Sequence, residues 1–198
     1  MTQIVWDGRF LVADRKCFRG TNVYTAKKLR VKHNGTKSAA FAFSGTFEEC
    51  NIADQIMMAD DNHELIEQAK SILTNPAGDW QGICVETQVN EQPKAYLCNY
   101  LGMREELPAN TFMTVGVCSD ELMFAYRTWQ AIAANLDKPA HTLFVYEPTQ
   151  PEEELEIVKR RATALACFLR TALKGSYYDQ YGYPFDVYDS VTGNTLCV

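Results

Sequence analysis

No stretch of this sequence approaches the roughly 18 consecutive apolar residues a membrane span requires, and it opens without the basic region and apolar core of an export signal. A soluble, cytoplasmic protein with no membrane partner is the expectation. No two of its seven cysteines are spaced C-x-x-C, and the number is odd; both facts argue against a disulfide framework or a thiolate zinc site and favour a reducing compartment. The three histidines, His33, His63 and His141, stand far apart with no H-E-x-x-H spacing. Each is read as a solvated or core side chain, and no metal is expected. Positive charge is also short: a formal net charge of -6 supplies no attraction to a phosphate backbone, so nucleic acid is not an expected partner. The short basic run Lys27, Lys28, Arg30 and Lys32 reads as a solvated strand face. There is no repeat, linker or low-complexity block.

What is present suits a folded protein. The 198 residues are 46% hydrophobic, enough to fill the core of one domain spanning residues 1–198. Thr2 to Trp6, the turn Asp7-Gly8 and Arg9 to Asp14 read as a hairpin, with Phe10 and Val12 alternating against Leu11 and Ala13. Lys28 to His33 and Lys37 to Ser44 read as a second hairpin around Asn34-Gly35, the returning strand buried on both faces. Asn34-Gly35-Thr36 also matches a glycosylation acceptor, but the turn is the expected role.

After Gly45 the period becomes helical, with Phe47, Cys50, Ile52, Ala53, Ile56 and Met57 in one stripe, resumed by Leu65, Ile66, Ala69 and Leu73 up to Pro76. Strands follow at Gln81 to Thr87, Pro93 to Tyr100 and Phe112 to Val117. Ser119 can cap a helix running to about Asn135, with Asp120 and Glu121 at its positive end. Glu152 to Glu154 begin another long helix that ends near Gly175, and Tyr183 to Tyr188 with Thr195 to Val198 form a closing hairpin. Strands adjacent in sequence exclude a βαβ fold. Two antiparallel sheets packed together, with helices outside, are predicted.

The opening residues suggest chemistry. A threonine hydroxyl is a weak nucleophile that needs a base, and an α-amine on the same residue, titrating at about 8, can serve. Removal of Met1 would create that pair at Thr2. A cation near the hydroxyl favours its deprotonation, and a carboxylate would hold that cation. Lys28 and Asp14 suit these parts, because strand order brings both toward the start of the chain.

Thr2, the segment ADRK of Ala13 to Lys16, KKLRV of Lys27 to Val31 and AFSGTFEEC of Ala42 to Cys50 follow one another as in a known family. The sequence resembles the proteasome β-type subunits and their bacterial and phage relatives, among the N-terminal nucleophile hydrolases. TVGVCSDELMFAYR of Thr114 to Arg127 and YYDQYGYPFDVY of Tyr177 to Tyr188 extend the resemblance over nearly the whole chain. It implies an α+β fold, a four-layer αββα sandwich of two antiparallel sheets flanked by helices. It also implies Thr2 as nucleophile, Asp14 and Lys28 as its carboxylate and lysine, the Ser44-Gly45 turn as oxyanion hole, and Asp179 as the supporting aspartate.

The implied activity is that of a threonine peptidase without cofactor, in a self-compartmentalising ring of identical subunits. Peptides or unfolded proteins are the implied substrates, and an ATP-dependent unfoldase the implied partner. Three positions depart from the family: its helper serines fall on Val117 and Gly182, and Ser44 replaces the first glycine of the oxyanion turn. An inactive ring-forming scaffold therefore stands as an alternative, and a small-amide acylase on the same fold, differing in substrate only, is a third reading.

Overall fold

The structure is a computed structural model that describes residues 2–19, 21–46, 80–99, 104–109, 111–116, 119–135, 163 and 184–198. The chain begins with a strand pair, β1 (Gln3–Trp6) and β2 (Phe10–Asp14). Asp7 shapes the turn between them by accepting the N–H groups of Arg9 and Phe10 on Oδ1 at 2.9 and 2.7 Å. Gly8 takes the positive φ of 98° that the turn needs.

A short ribbon follows, β3 (Lys16–Arg19) with β4 (Asn22–Thr25). The sequence pattern had not marked it, since its residues are exposed along β4 and carry no buried face. Then come β5 (Leu29–Asn34), β6 (Lys37–Ser44), β7 (Gln81–Gln88), β8 (Lys94–Asn99), β9 (Arg104–Glu106) and β10 (Met113–Gly116). The helix α1 (Ser119–Asn135) follows, and the chain closes with β11 (Phe185–Asp189) and β12 (Thr195–Cys197).

The strands form two five-stranded antiparallel sheets, ordered β10-β1-β2-β11-β12 and β5-β6-β7-β8-β9. They share one core. Ile4, Trp6, Leu11, Ala13 and Tyr188 of the first sheet meet Ala40, Ala42, Ile83, Val85 and Ala95 of the second. Small residues on β6 and β8 let the sheets approach, while each large side chain withdrawn from water contributes about 1.5–3 kcal/mol. A hydroxyl triangle joins the sheets as well: Tyr188 lies 2.8 Å from Ser38 and 2.9 Å from Thr87.

The two expected antiparallel sheets are thus present, and the hairpins of the opening, the middle and the tail form as predicted. Two local details differ. Asn34 pairs with Lys37, so the loop is Gly35-Thr36 rather than Asn34-Gly35. Glycine with φ of 60° in the first loop position fits a two-residue hairpin of the Gly-first kind. Ser119 does start the helix, but its hydroxyl donates to the Gly116 carbonyl at 2.6 Å instead of accepting as a cap.

The helices expected over 47–76 and 152–174 lie outside the described residues, save for Thr163 within the second. Among the described residues the architecture is mostly β, with a single long helix. That helix is not long and apolar enough to cross a membrane. It packs on β10, where Leu122 is buried and Tyr126 stacks on Phe112 with ring centroids 3.9 Å apart.

Candidate active site

Thr2 lies just ahead of β1 and is buried to 7% exposure. Because Ile4 pairs with Ala13, Gln3 comes opposite Asp14 at the end of the β1–β2 ladder. The Gln3 N–H donates to Asp14 Oδ1 at 2.8 Å. Lys28, one residue before β5, places Nζ 2.9 Å from both Asp14 oxygens and 2.7 Å from the Lys16 carbonyl. Three acceptors match the three N–H donors of an ammonium. Lys16 closes the loop by donating its backbone N–H to Asp14 Oδ2 at 3.2 Å.

Asp14 therefore joins Lys28 to the backbone beside Thr2. Its carboxylate is fully buried, and Lys28 nearly so. Burial pushes the Asp14 carboxyl above its ordinary pKa, against the downward pull of the Lys28 charge and of the N–H donors of Gln3 and Lys16. Desolvation of the charged form outweighs its partners here.

The other expected residues are placed as follows. Ser44, at the end of β6, donates its hydroxyl to the Thr2 carbonyl at a long 3.4 Å. Gly45 follows it and is exposed. Asp179, Val117 and Gly182 lie outside the described residues. The structure thus brings together Thr2, Asp14, Lys28 and Ser44 from four separate segments of chain.

Three participants had no sequence signal strong enough to mark them. The Lys16 carbonyl is a backbone group that any residue type would supply. Gly116 closes β10 against the Thr2 main chain, and only the pairing of β10 with β1 reveals it. Arg15 holds the buried carboxylate of Asp186 bidentately through Nε, at 2.9 Å, and through a guanidinium NH2. That pair braces the strand end next to Asp14, and the adjacency of Arg15 to Asp14 was its one visible hint. Among the described residues no cluster of His, Cys, Asp or Glu is arranged to hold a metal ion.

No protein-family model and no curated protein matches the chain. Solved structures do. A Gly-1 mutant of Anbu from Hyphomicrobium sp. strain MC1 is 15% identical, with a TM-score of 0.59 over 99% of this chain and 86% of that one. Anbu from Pseudomonas aeruginosa, solved as a helical assembly of the Anbu complex, is 11% identical, with a TM-score of 0.60 over 100% and 86%. Anbu from Yersinia bercovieri, described as an ancestral beta-subunit, is 11% identical, with a TM-score of 0.57 over 100% and 87%. The chain shares the fold of these Anbu proteins.

Proposed function

We propose that this chain is an N-terminal threonine hydrolase that cleaves peptide bonds, with Thr2 as nucleophile once Met1 is removed. The observation that carries the proposal is the junction at Asp14. One carboxylate holds Lys28 Nζ and, through Oδ1, the amide next to Thr2. A hydroxyl attacks effectively when a base takes its proton and a nearby cation favours the developing charge. The Thr2 α-amine is the base, Lys28 the cation, and Asp14 holds Lys28 in place.

Thr2 Oγ adds to the substrate carbonyl carbon as its proton passes to the α-amine, and the carbonyl electron pair moves onto oxygen. The backbone amides at Ser44 and Gly45 receive that oxyanion. Collapse breaks the C–N bond, the α-ammonium protonates the departing amine, and an ester to Thr2 remains. Water, deprotonated by the same amine, adds to the ester carbon. The Thr2 oxygen then leaves with that proton, and the second product is a carboxylic acid. No cofactor enters, and Asp179 supports the site as the resemblance implies.

Residues 1–198 act as one domain in a homo-oligomeric ring that admits peptides or unfolded proteins, and an ATP-dependent unfoldase fits as its feeder. The helical assembly recorded for the Pseudomonas aeruginosa Anbu supports self-association. A non-catalytic scaffold is the second reading, favoured by Val117, Gly182 and Ser44 at the positions of two helper serines and a glycine.

Intact mass and peptide turnover decide between them. The expected mass lacks Met1, and Thr2→Ala abolishes turnover of fluorogenic peptides. A homogeneous mass retaining Met1, with no turnover, selects the scaffold. Hydrolysis of small amides but not of peptides selects an acylase.

A further inference from the structure

The Thr2 main chain is touched from β10 at a point that tolerates only glycine. Gly116 pairs with Gln3 in the β1–β10 ladder and has a φ of 122°, a conformation that glycine adopts without strain and other residues avoid. A Cβ at this position would stand 2.1 Å from the Thr2 carbonyl oxygen, 3.1 Å from its carbon and 3.3 Å from Gln3 Cα. All three are backbone atoms, so no change of rotamer relieves the overlap. Restoring an ordinary contact of about 3.5 Å requires the two backbones to part by about 1.4 Å.

The segment that presses on Thr2 is also fastened. Ser119 Oγ donates to the Gly116 carbonyl at 2.6 Å, and Thr114 Oγ1 donates to the Ser119 carbonyl at 3.1 Å. Gln3 Nε2 donates to the Val115 carbonyl at 3.3 Å. The end of β10 and the start of α1 are tied to each other and to the residue beside Thr2. Ser44 Oγ donates to the same Thr2 carbonyl at 3.4 Å.

We propose that Gly116 is a positioning residue: its lack of a side chain lets β10 seat the Thr2 carbonyl, and the Ser119 hydroxyl locks that seat, setting where Thr2 stands relative to the Asp14–Lys28 pair. The inference rests on Thr2 as the nucleophile. Misplacing reacting groups by about 1 Å lowers a rate about 100-fold. Substrate binding along the rest of the site is untouched, so the loss falls on kcat and leaves KM alone.

The test uses the full-length protein carrying Gly116→Ala, Ser119→Ala or Ser119→Thr. Peptide kinetics, urea unfolding and a crystal structure are obtained for each. Gly116→Ala is expected to lower kcat about 100-fold at constant KM, with the Thr2 carbonyl displaced by about 1 Å or more. Ser119→Ala is expected to lower kcat less, and Ser119→Thr to restore it, because the threonine keeps the hydroxyl.

A folded Gly116→Ala protein with wild-type kcat overturns the proposal. Should that variant fail to fold, the serine pair decides, and wild-type kcat in Ser119→Ala overturns it. If the wild-type protein turns over no peptide, the peptidase proposal fails separately. The positioning claim then stands or falls on the crystal structure of the folded variant, where an unmoved Thr2 carbonyl overturns it.

Discussion

Asp14 and Asp189 stand at opposite ends of the β2–β11 ladder, where Phe185 pairs with Asp14 and Phe10 with Asp189. Both are fully buried, and both face a cation. The cations differ. Arg9 grips Asp189 bidentately, with Nε 2.8 Å from Oδ1 and NH2 2.9 Å from Oδ2. The loop that follows completes the enclosure: the Val191 N–H donates to Oδ1 at 3.1 Å and the Thr192 hydroxyl to Oδ2 at 2.9 Å. Arg9 thus ties the β1–β2 turn to the end of β11, and Val191 and Thr192 fasten the β11–β12 turn to the same carboxylate.

At the other end, Asp14 receives a lysine amine and two backbone N–H groups. A guanidinium stays protonated and fits a carboxylate as a rigid fork, whereas an amine is a rotatable point charge that environment can tune. Arginine therefore suits the end that clamps two turns, and lysine suits the end beside a nucleophile. The same strand pair carries a brace at one end and a candidate reactive centre at the other.

The largest expected effect tests the lysine end. Lys28→Met is expected to lower kcat by about 10²–10³-fold in peptide assays while the protein stays folded. Lys28→Arg is not expected to recover it, because a planar fork cannot serve both Asp14 oxygens and the Lys16 carbonyl as one ammonium does. Full activity in Lys28→Arg would erase the distinction between the two ends.

The next effect tests the arginine end. Arg9→Ala leaves Asp189 buried without its cation and is expected to cost about 3 kcal/mol of stability, read by urea denaturation. The kcat per folded molecule is expected to match wild type, and a kcat loss would make this end part of the site.

The smallest effect concerns pH. Burial raises the Asp14 carboxyl above its unfolded-state pKa, so folding favours its protonated form. Its contribution to stability is then fully present below the ordinary carboxyl value and is lost as pH rises through the raised one. Wild type is expected to lose stability relative to Asp14→Asn across that window, measured by urea midpoints at a series of pH values. A difference that stays flat with pH would show that Lys28 and the N–H donors balance the burial.

Much of the fold could be read from short segments. Asp7-Gly8 marked a turn because aspartate and glycine accept turn geometry at little cost. Alternation marked the strands around it. The ribbon Lys16–Arg19 with Asn22–Thr25 has no such alternation, because period-2 patterning records a buried face and its exposed β4 has none. At the site, Thr2, Asp14 and Lys28 were visible as chemistry before they were visible as neighbours. Gly116 was not, since a glycine that closes a strand looks alike in sequence whether or not another backbone lies against it.

The amino-acid sequence by itself determined the hairpins, the start of α1 at Ser119 and the residue types from which a threonine site can be built. These are consequences of local turn chemistry and of periodicity within a few residues. Only the tertiary structure decided that β1 lies between β10 and β2, and β2 between β1 and β11. That order brings Asp186 to Arg15 and presses Gly116 on Thr2. Such contacts follow from register between strands far apart in the chain, where a slip of one residue would turn each side chain to the opposite face.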